Sequence, residues 1–219
     1  LIINSNAQIT VNAGRNLNIH GNFINRGPEY TGNGSVSMVG SATQWLMGKV
    51  NGLIINNGSG VNLEDDLSTN RPINIQSGQM VVGDNSLTIR NAIAGNPQNL
   101  IMDGTSSLVV SGTSAGISIP SHITILEDLQ LENGSGLVLT NSLQIIDSLK
   151  LYAGTLTLGS NNLDLLGYSH SINGEISSSV GAELSVNAIG NAGKIVFDNT
   201  ENVLSNLSIN ATGGTFEIE

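Results

Sequence analysis

Hydrophobic residues recur along the chain in short alternating triplets that are bounded by Gly, Asn, Asp or Ser. Typical triplets are Leu53-Ile54-Ile55, Val61-Asn62-Leu63 and Ile73-Asn74-Ile75. Apolar residues at every second position predict a β-strand with one buried face. Since no stretch of about ten or more residues shows helical spacing, we expect no helix longer than a turn.

The triplets recur with a nearly constant step. Three interleaved series each return after 19 or 20 residues, as in Leu53 to Ile73, Val61 to Met80, Leu67 to Leu87, Leu129 to Leu149, Leu137 to Leu156 and Leu143 to Leu163. A coil of three short strands that stacks in register on the next coil produces this pattern. The predicted fold class is therefore all-β: a single-domain parallel β-helix (β-solenoid) over residues 1–219. We expect about 19–20 residues per coil and a right-handed sense.

A longer internal repeat is superimposed on the coil period. Residues 53–89 align without a gap to residues 129–165, an offset of 76 residues, which is close to four coils. Leu1-Ile2-Ile3-Asn4 repeats Leu53-Ile54-Ile55-Asn56, and a further copy begins near Leu207. Both ends of the sequence thus fall inside the repeat, and we expect a fragment of a longer array. Eleven of the 37 aligned positions are identical: Leu53/Leu129, Asn57/Asn133, Gly58/Gly134, Ser59/Ser135, Gly60/Gly136, Leu63/Leu139, Leu67/Leu143, Gly78/Gly154, Gly83/Gly159, Asn85/Asn161 and Leu87/Leu163.

The identical glycines and asparagines suggest structural roles. We expect Gly58, Gly60, Gly78 and Gly83, with their partners, at corners where a Cβ atom is disfavoured. The paired asparagines are expected to form inward or edge ladders of side-chain amides.

Composition agrees with many short strands joined by tight turns. Hydrophobic residues make up 39% of the chain but aromatic residues only 3%, so the core must be aliphatic. Charged residues make up 11%, against roughly 25% in average soluble proteins. The surface must then be formed by small polar residues, and 29 asparagines and 27 glycines are present. Both residue types tolerate the positive φ angles of tight turns.

Charge and cysteine usage narrow the possible partners. The net charge is −10, and only seven lysines and arginines are scattered along the chain, so we expect neither nucleic acid nor an anionic membrane as a partner. No apolar run approaches the roughly 18–20 residues of a membrane helix, which argues against membrane insertion. The absence of cysteine excludes disulfides and thiolate metal sites.

Several segments resemble a pattern common in very large secreted proteins of Bacteroidota. That resemblance implies β-helical stalks or adhesin bodies, export by the type IX secretion system, and no active-site residue among the matching positions. It covers most of the chain, although a C-terminal sorting domain is not present in it. The segments that carry the resemblance are Gly34-Ser35-Val36-Ser37-Met38-Val39-Gly40, Gln44-Trp45-Leu46-Met47-Gly48, Leu53-Ile54-Ile55-Asn56-Asn57, Leu87-Thr88-Ile89 and residues 154–163.

Glu64, Asp65 and Asp66 form the densest acidic run and are the only candidate metal ligands. Adjacent carboxylates suit a hard cation, so a weak calcium site is one interpretation and a solvated turn is the other. The repeat partner of the run is Thr140-Asn141-Ser142, which shows that the acids are specific to one coil. We assign no catalytic and no cofactor-binding residues.

The histidines and the tryptophan are interpreted as structural residues rather than as sites for metals or sugars. His20, His122 and His170 lack a second ligand at metal-binding spacing and are interpreted as surface turn residues. Trp45 is predicted to pack in the core or at a corner. The three tyrosines, Tyr30, Tyr152 and Tyr168, look dispersed.

The sequence therefore predicts a structural or adhesive rod segment of an extracellular or cell-surface protein, without enzymatic activity. Its expected partners are flanking domains of the parent protein, surface glycans or other cell-surface proteins. The alternative is a β-helix that binds or degrades polysaccharide. A groove lined by several acids, bases and aromatic residues would favour that alternative.

Overall fold

Residues 1–27 and 32–219 are described by a computed structural model. The chain divides into two compact units, Leu1–Met102 and Asp103–Glu219, and each unit is a stack of parallel strands. The expectation of one domain over residues 1–219 and the right-handed sense stay predictions.

Most strands of the first unit are short because Gly, Asn, Asp or Ser bounds the apolar triplets. One turn of 3-10 helix, Pro97–Asn99, is the only helical element among the described residues of this unit, as the spacing predicted. The strands are β1 Ile2–Ile3, β2 Asn16–Ile19, β3 Phe23–Asn25, β4 Ser35–Met38, β5 Gln44–Val50, β6 Gly52–Asn56, β7 Val61–Thr69, β8 Ile73–Ser77, β9 Met80–Val81, β10 Ser86–Ile89, β11 Ile93–Gly95 and β12 Leu100–Ile101.

The second unit consists of strands and the turns between them. Its strands are β13 Ser107–Val110, β14 Ser118–Ile119, β15 Ile125–Leu131, β16 Leu137–Leu139, β17 Leu143–Leu151, β18 Gly154–Thr157, β19 Leu163–Leu165, β20 Tyr168–Ser171, β21 Gly174–Val186, β22 Gly193–Ile195, β23 Phe197–Ile209 and β24 Phe216–Ile218.

The predicted coil period is confirmed residue by residue. All six predicted apolar pairs are direct register partners on neighbouring parallel strands: Leu53 with Ile73, Val61 with Met80, Leu67 with Leu87, Leu129 with Leu149, Leu137 with Leu156 and Leu143 with Leu163. Each unit is therefore a parallel β-solenoid, and the all-β fold class is confirmed.

Two long strands show how three short strands make one coil. In β7, residues 61–62 pair with β9 while residues 67–69 pair with β10. In β17, residues 143–145 pair with β19 and residues 148–151 with β20. Each long strand is thus two strand segments joined by an exposed bend, and the bend of β7 contains Glu64, Asp65 and Asp66.

Alternation along the strands produces an aliphatic core. The predicted core leucines of the repeat, Leu63, Leu139, Leu87 and Leu163, are all buried, at 5% exposure or less. Because side chains alternate between the two faces of a strand, the residues on either side of each buried leucine point outward.

The repeated asparagines are confirmed as structural residues, although they do not form ladders of identical amides. Asn57 and Asn133 are buried, and each closes its own turn. The Asn57 Nδ2 donates to the carbonyl oxygens of Ala42 (2.8 Å) and Gly60 (3.1 Å). The Asn133 Nδ2 donates equivalently to Ser114 (2.8 Å) and Gly136 (3.2 Å).

Gly78 and Gly154 show why glycine recurs at a corner. Their φ angles are +77° and +74°, and a Cβ atom would lie 1.8 Å and 2.1 Å from the backbone oxygens of Asn57 and Asn133. The expectation fails for Gly58 and Gly134, since neither has a positive φ angle and a Cβ atom would meet nothing closer than 3.8 Å.

Candidate functional site

An outward-facing column of polar residues crosses four successive strands of the second unit. Lys150 in β17 pairs with His170 in β20, His170 pairs with Lys194 in β22, and Lys194 pairs with Glu217 in β24. The residues that flank this column in β20, Ser169 and Ser171, are buried. Strand alternation therefore directs the column to the solvent face.

Two tyrosines join His170 on this face. Tyr168 precedes His170 by two residues on the same strand, and their rings stack with centroids 5.9 Å apart and an interplanar angle of 19°. The Tyr168 hydroxyl lies 3.2 Å from His170 Nδ1, within hydrogen-bond distance. Tyr152 on the neighbouring coil meets the His170 ring edge-on, with centroids 6.4 Å apart.

The cluster corrects two sequence interpretations. His170 lies in a strand among aromatic rings rather than in a surface turn, and Tyr152 and Tyr168 are neighbours rather than dispersed. The missed signal was the coil period itself. Tyr152 precedes His170 by 18 residues, close to one coil, so applying the coil step to aromatic residues would have brought them together.

Tyr168 borders a small pocket of about 220 Å³ between successive coils. The Tyr168 pocket is lined by Tyr168, Asn191, Gly193, Lys194, Thr215 and Glu217. Gly193 is required at its base, since its φ angle is +85° and a Cβ atom would lie 1.8 Å from the Ser169 oxygen and 2.8 Å from the Tyr168 ring. A larger residue there would displace the ring.

An ion pair fixes the basic residue of this pocket. Lys194 Nζ lies 2.6 Å from Glu219 Oε2. The hydrogen bond from Lys194 is the main reason that the pKa of the Glu219 carboxyl is lowered. The ammonium that lines the pocket is thus paired with a carboxylate that does not line it.

Trp45 in the first unit is exposed, and the prediction that it packs in the core or at a corner was wrong. The inward residues of β5 are Gln44 and Leu46, both buried, so alternation turns Trp45 outward, where it is 42% exposed. Its ring borders a second pocket of about 410 Å³ with Asn22 and Glu64. Asn22 Oδ1 accepts a hydrogen bond from the Trp45 backbone N–H (3.0 Å).

The acidic run Glu64, Asp65 and Asp66 lies on the exposed bend of β7. Asp65 Oδ1 accepts from the Asp66 backbone N–H, and Asp66 Oδ1 accepts from the Ser86 backbone N–H, both at 2.8 Å. Two of the three carboxylates thus bind backbone of their own turn or of the next coil. Among residues 1–27 and 32–219, no group of three or more His, Cys, Asp or Glu could hold a metal ion, so this geometry adds no support to the calcium interpretation.

Other carboxylates on the solvent faces also link coils. Asp128 accepts hydrogen bonds from the hydroxyls of Ser107 (3.2 Å) and Ser148, one residue on each neighbouring coil. Asp164 accepts from the amides of Gln144 (2.7 Å) and Asn187 (3.2 Å) in the same way. These acids stabilise the stacking of polar side chains along the coils.

The remaining sequence candidates lie apart from the aromatic cluster. His20 is exposed at a bend and His122 lies in a turn, as predicted. The irregular sequence of residues 23–35, around Tyr30, and of residues 91–99 predicts two loops that could make specific contacts. Residues 28–31, with Tyr30, lie outside the described residues, and residues 91–99 contain strand β11 and the 3-10 turn.

Comparisons with known proteins add no assignment to these surfaces. Within the part of the chain that the structure describes, no helix is long and apolar enough to cross a membrane. No protein family, no curated protein and no solved structure matches this chain.

Proposed function

We propose that the chain is a structural and adhesive β-solenoid segment of an extracellular or cell-surface protein. It spaces or presents flanking domains and contacts surface glycans or other surface proteins through its outward faces. One observation carries the proposal: the identical positions of the internal repeat include buried leucines, turn-closing asparagines and left-handed glycines, all of which stack coils. Apart from Gly58/Gly134 and Ser59/Ser135, the exposed residues, by contrast, differ between the copies.

The location of the protein is part of this proposal. Surface exposure and export by the type IX system rest on the resemblance to large secreted proteins of Bacteroidota. A surface of small polar residues with few charges is compatible with that setting.

The spacing role can be tested with reporters at both ends of the chain. We expect a narrow distribution of distances between two terminal fluorescent domains by single-molecule energy transfer. A Gly/Ser linker of the same length is the control, since a flexible chain has a root-mean-square span of about 5–6 Å times the square root of its length and a broad distribution. A distribution as broad as that of the linker would contradict the spacing role.

A polysaccharide-degrading β-helix is the enzymatic alternative. Glycoside hydrolysis needs two carboxylates on opposite sides of the scissile bond, whereas Asp128 and Asp164 are each held between polar side chains of adjacent coils. We expect no release of reducing ends from a panel of plant and algal polysaccharides. Turnover that is abolished by Asp65→Asn or Asp66→Asn would replace the scaffold by an enzyme.

A further inference from the structure

We propose that the Tyr168 pocket is a subsite for one neutral pyranose ring of a surface polysaccharide. This inference rests on the adhesive half of the proposed function and names its ligand class and its residues. Three features carry it: a pre-oriented aromatic ring, polar groups of both hydrogen-bonding types around it, and a charge balance that disfavours acidic sugars.

The aromatic ring is exposed and already fixed in place. Tyr168 is 42% exposed, yet its ring stacks on His170, its hydroxyl lies 3.2 Å from His170 Nδ1, and Gly193 leaves room for its edge. A ring that is held before binding loses little conformational entropy when a ligand arrives. Its face offers an apolar surface to the C–H face of a sugar, while the phenol keeps a polar end.

Polar groups around the pocket match the hydroxyls of a sugar. Thr215 offers a hydroxyl that can donate and accept, Lys194 donates, and the exposed Glu217 carboxylate accepts. Asn191 Oδ1 already accepts from the Gly193 backbone N–H (3.0 Å), so its amide group remains oriented with its donors available. A sugar hydroxyl likewise donates one bond and accepts others, so each group has a complementary partner.

Charge selects a neutral ligand. Lys194 is neutralised by Glu219 at 2.6 Å, and Glu217 follows Lys194 in the outward column. The chain as a whole has a net charge of −10. Lys194 is the only basic residue that lines the Tyr168 pocket, so an acidic sugar in the pocket would meet the Glu217 carboxylate without an unbalanced cation to compensate.

The pocket size indicates a subsite rather than a complete site. Its volume of about 220 Å³ is below the roughly 300–1,000 Å³ of pockets that enclose whole drug-sized ligands. The column continues from His170 to Lys150 on the preceding coil, with Tyr152 beside it. A polysaccharide can thus place one ring in the pocket and extend over the aromatic cluster.

Trp45 provides an internal comparison with the same exposure. It is also 42% exposed, but its pocket is lined only by Asn22 and Glu64 and no ring stacks on it among the described residues. Trp45→Ala therefore removes an equally exposed aromatic residue without touching the proposed subsite, and it serves as the matched control.

The test is affinity electrophoresis in gels that contain one soluble polysaccharide each. The neutral set is mixed-linkage β-glucan, xyloglucan, galactomannan and dextran, and the acidic set is alginate and polygalacturonate. We expect retention by at least one neutral polysaccharide and by neither acidic one.

Tyr168→Ala should weaken the retaining interaction about 30-fold, as expected for a central aromatic contact. Thr215→Val should weaken it about 3-fold to 10-fold through the loss of one hydrogen bond, and Trp45→Ala should leave it within about 2-fold, as expected of a residue outside the contact.

Each alternative outcome has a distinct meaning. Retention that responds to Trp45→Ala but not to Tyr168→Ala or Thr215→Val overturns the subsite and leaves the adhesive function in place. No retention by any neutral polysaccharide overturns the subsite, while the reporter-distance experiment still decides the spacing role. Thr215 is exposed, so Thr215→Val keeps the test decisive if circular dichroism shows that Tyr168→Ala disturbs the fold.

Discussion

The two copies of the internal repeat differ in charge at one exposed bend, which lies within β7 in the first copy and between β16 and β17 in the second. In residues 53–89 the bend presents Glu64, Asp65 and Asp66, whereas in residues 129–165 the aligned positions are Thr140, Asn141 and Ser142. Both copies close the preceding corner in the same way, since Asn57 and Asn133 donate hydrogen bonds to equivalent pairs of carbonyl groups. Stacking geometry constrains the inside and the corners of a coil, while the bends remain open to change.

Truncating the equivalent core leucines should have the largest effect on both copies. Leu63 and Leu139 are 5% and 3% exposed, and changing either one to Ala leaves a cavity in a stacked core. We expect each variant to lose about 2–5 kcal/mol of unfolding free energy. Urea unfolding should be followed by circular dichroism for the whole chain and by the fluorescence of the single Trp45 for the first unit.

A near-zero change for Leu139→Ala would mean that the inward and outward faces of the strands are inverted. Unequal losses for Leu63→Ala and Leu139→Ala would show that the copies do not tolerate the cavity equally. The exposed Val138→Ala next to Leu139 is the control, because 41% of Val138 is exposed and surface substitutions usually change stability by less than about 0.5 kcal/mol.

Replacing the corner glycine should be the next largest effect. Gly78→Ala and Gly154→Ala place a Cβ atom against a backbone oxygen at a positive φ angle. Left-handed backbone strain alone costs about 1–3 kcal/mol, and the clash adds to it. Gly58→Ala and Gly134→Ala are the matched controls, since those positions have room, and thermal unfolding should separate the two pairs. Equal melting temperatures for all four variants would contradict the corner geometry.

The turn-closing asparagines should have a smaller effect, and it should differ between the copies. Asn57→Ala and Asn133→Ala each remove the two hydrogen bonds by which the amide closes its turn, at about 1–3 kcal/mol in total. Asn57 also donates to Gln44 Oε1 at 3.0 Å, so we expect Asn57→Ala to be the more destabilising variant. Denaturant titration of both variants measures the difference, and a larger loss for Asn133→Ala would contradict the role of Gln44.

Exchanging the bends should have the smallest effect. Replacing Glu64, Asp65 and Asp66 by Thr, Asn and Ser should change the unfolding free energy by no more than about 0.5 kcal/mol, as is usual for exposed positions. The same variant tests the calcium interpretation by calorimetric titration. A calcium-dependent rise in the melting temperature of the parent chain that the exchange abolishes would establish a cation site on the bend.

Much of the fold followed from sequence because coil stacking imposes a fixed step. Leu67 and Leu87 could be paired from their spacing alone, and they are register partners. Contacts between exposed side chains were harder to predict, because they depend on which residues of each strand face outward. Trp45 belongs to the apolar triplet Trp45-Leu46-Met47, whose middle residue faces inward. In the other triplets the two end residues face inward, as in Leu53-Ile54-Ile55. Tyr152 meets His170 because it lies on the neighbouring coil, and only the coil step applied to aromatic residues predicts that contact.

The constant step also determines how a unit responds to mechanical load. Most backbone pairings join residues about one coil apart, as in Leu143 with Leu163, so a strand pulled away from an end is released with its own coil and few distant contacts are lost. Each coil that detaches frees about 20 residues, or roughly 70 Å of extended chain. A solenoid unit under tension would therefore lengthen in successive steps, one coil at a time. Each step absorbs mechanical work while the remaining coils stay folded.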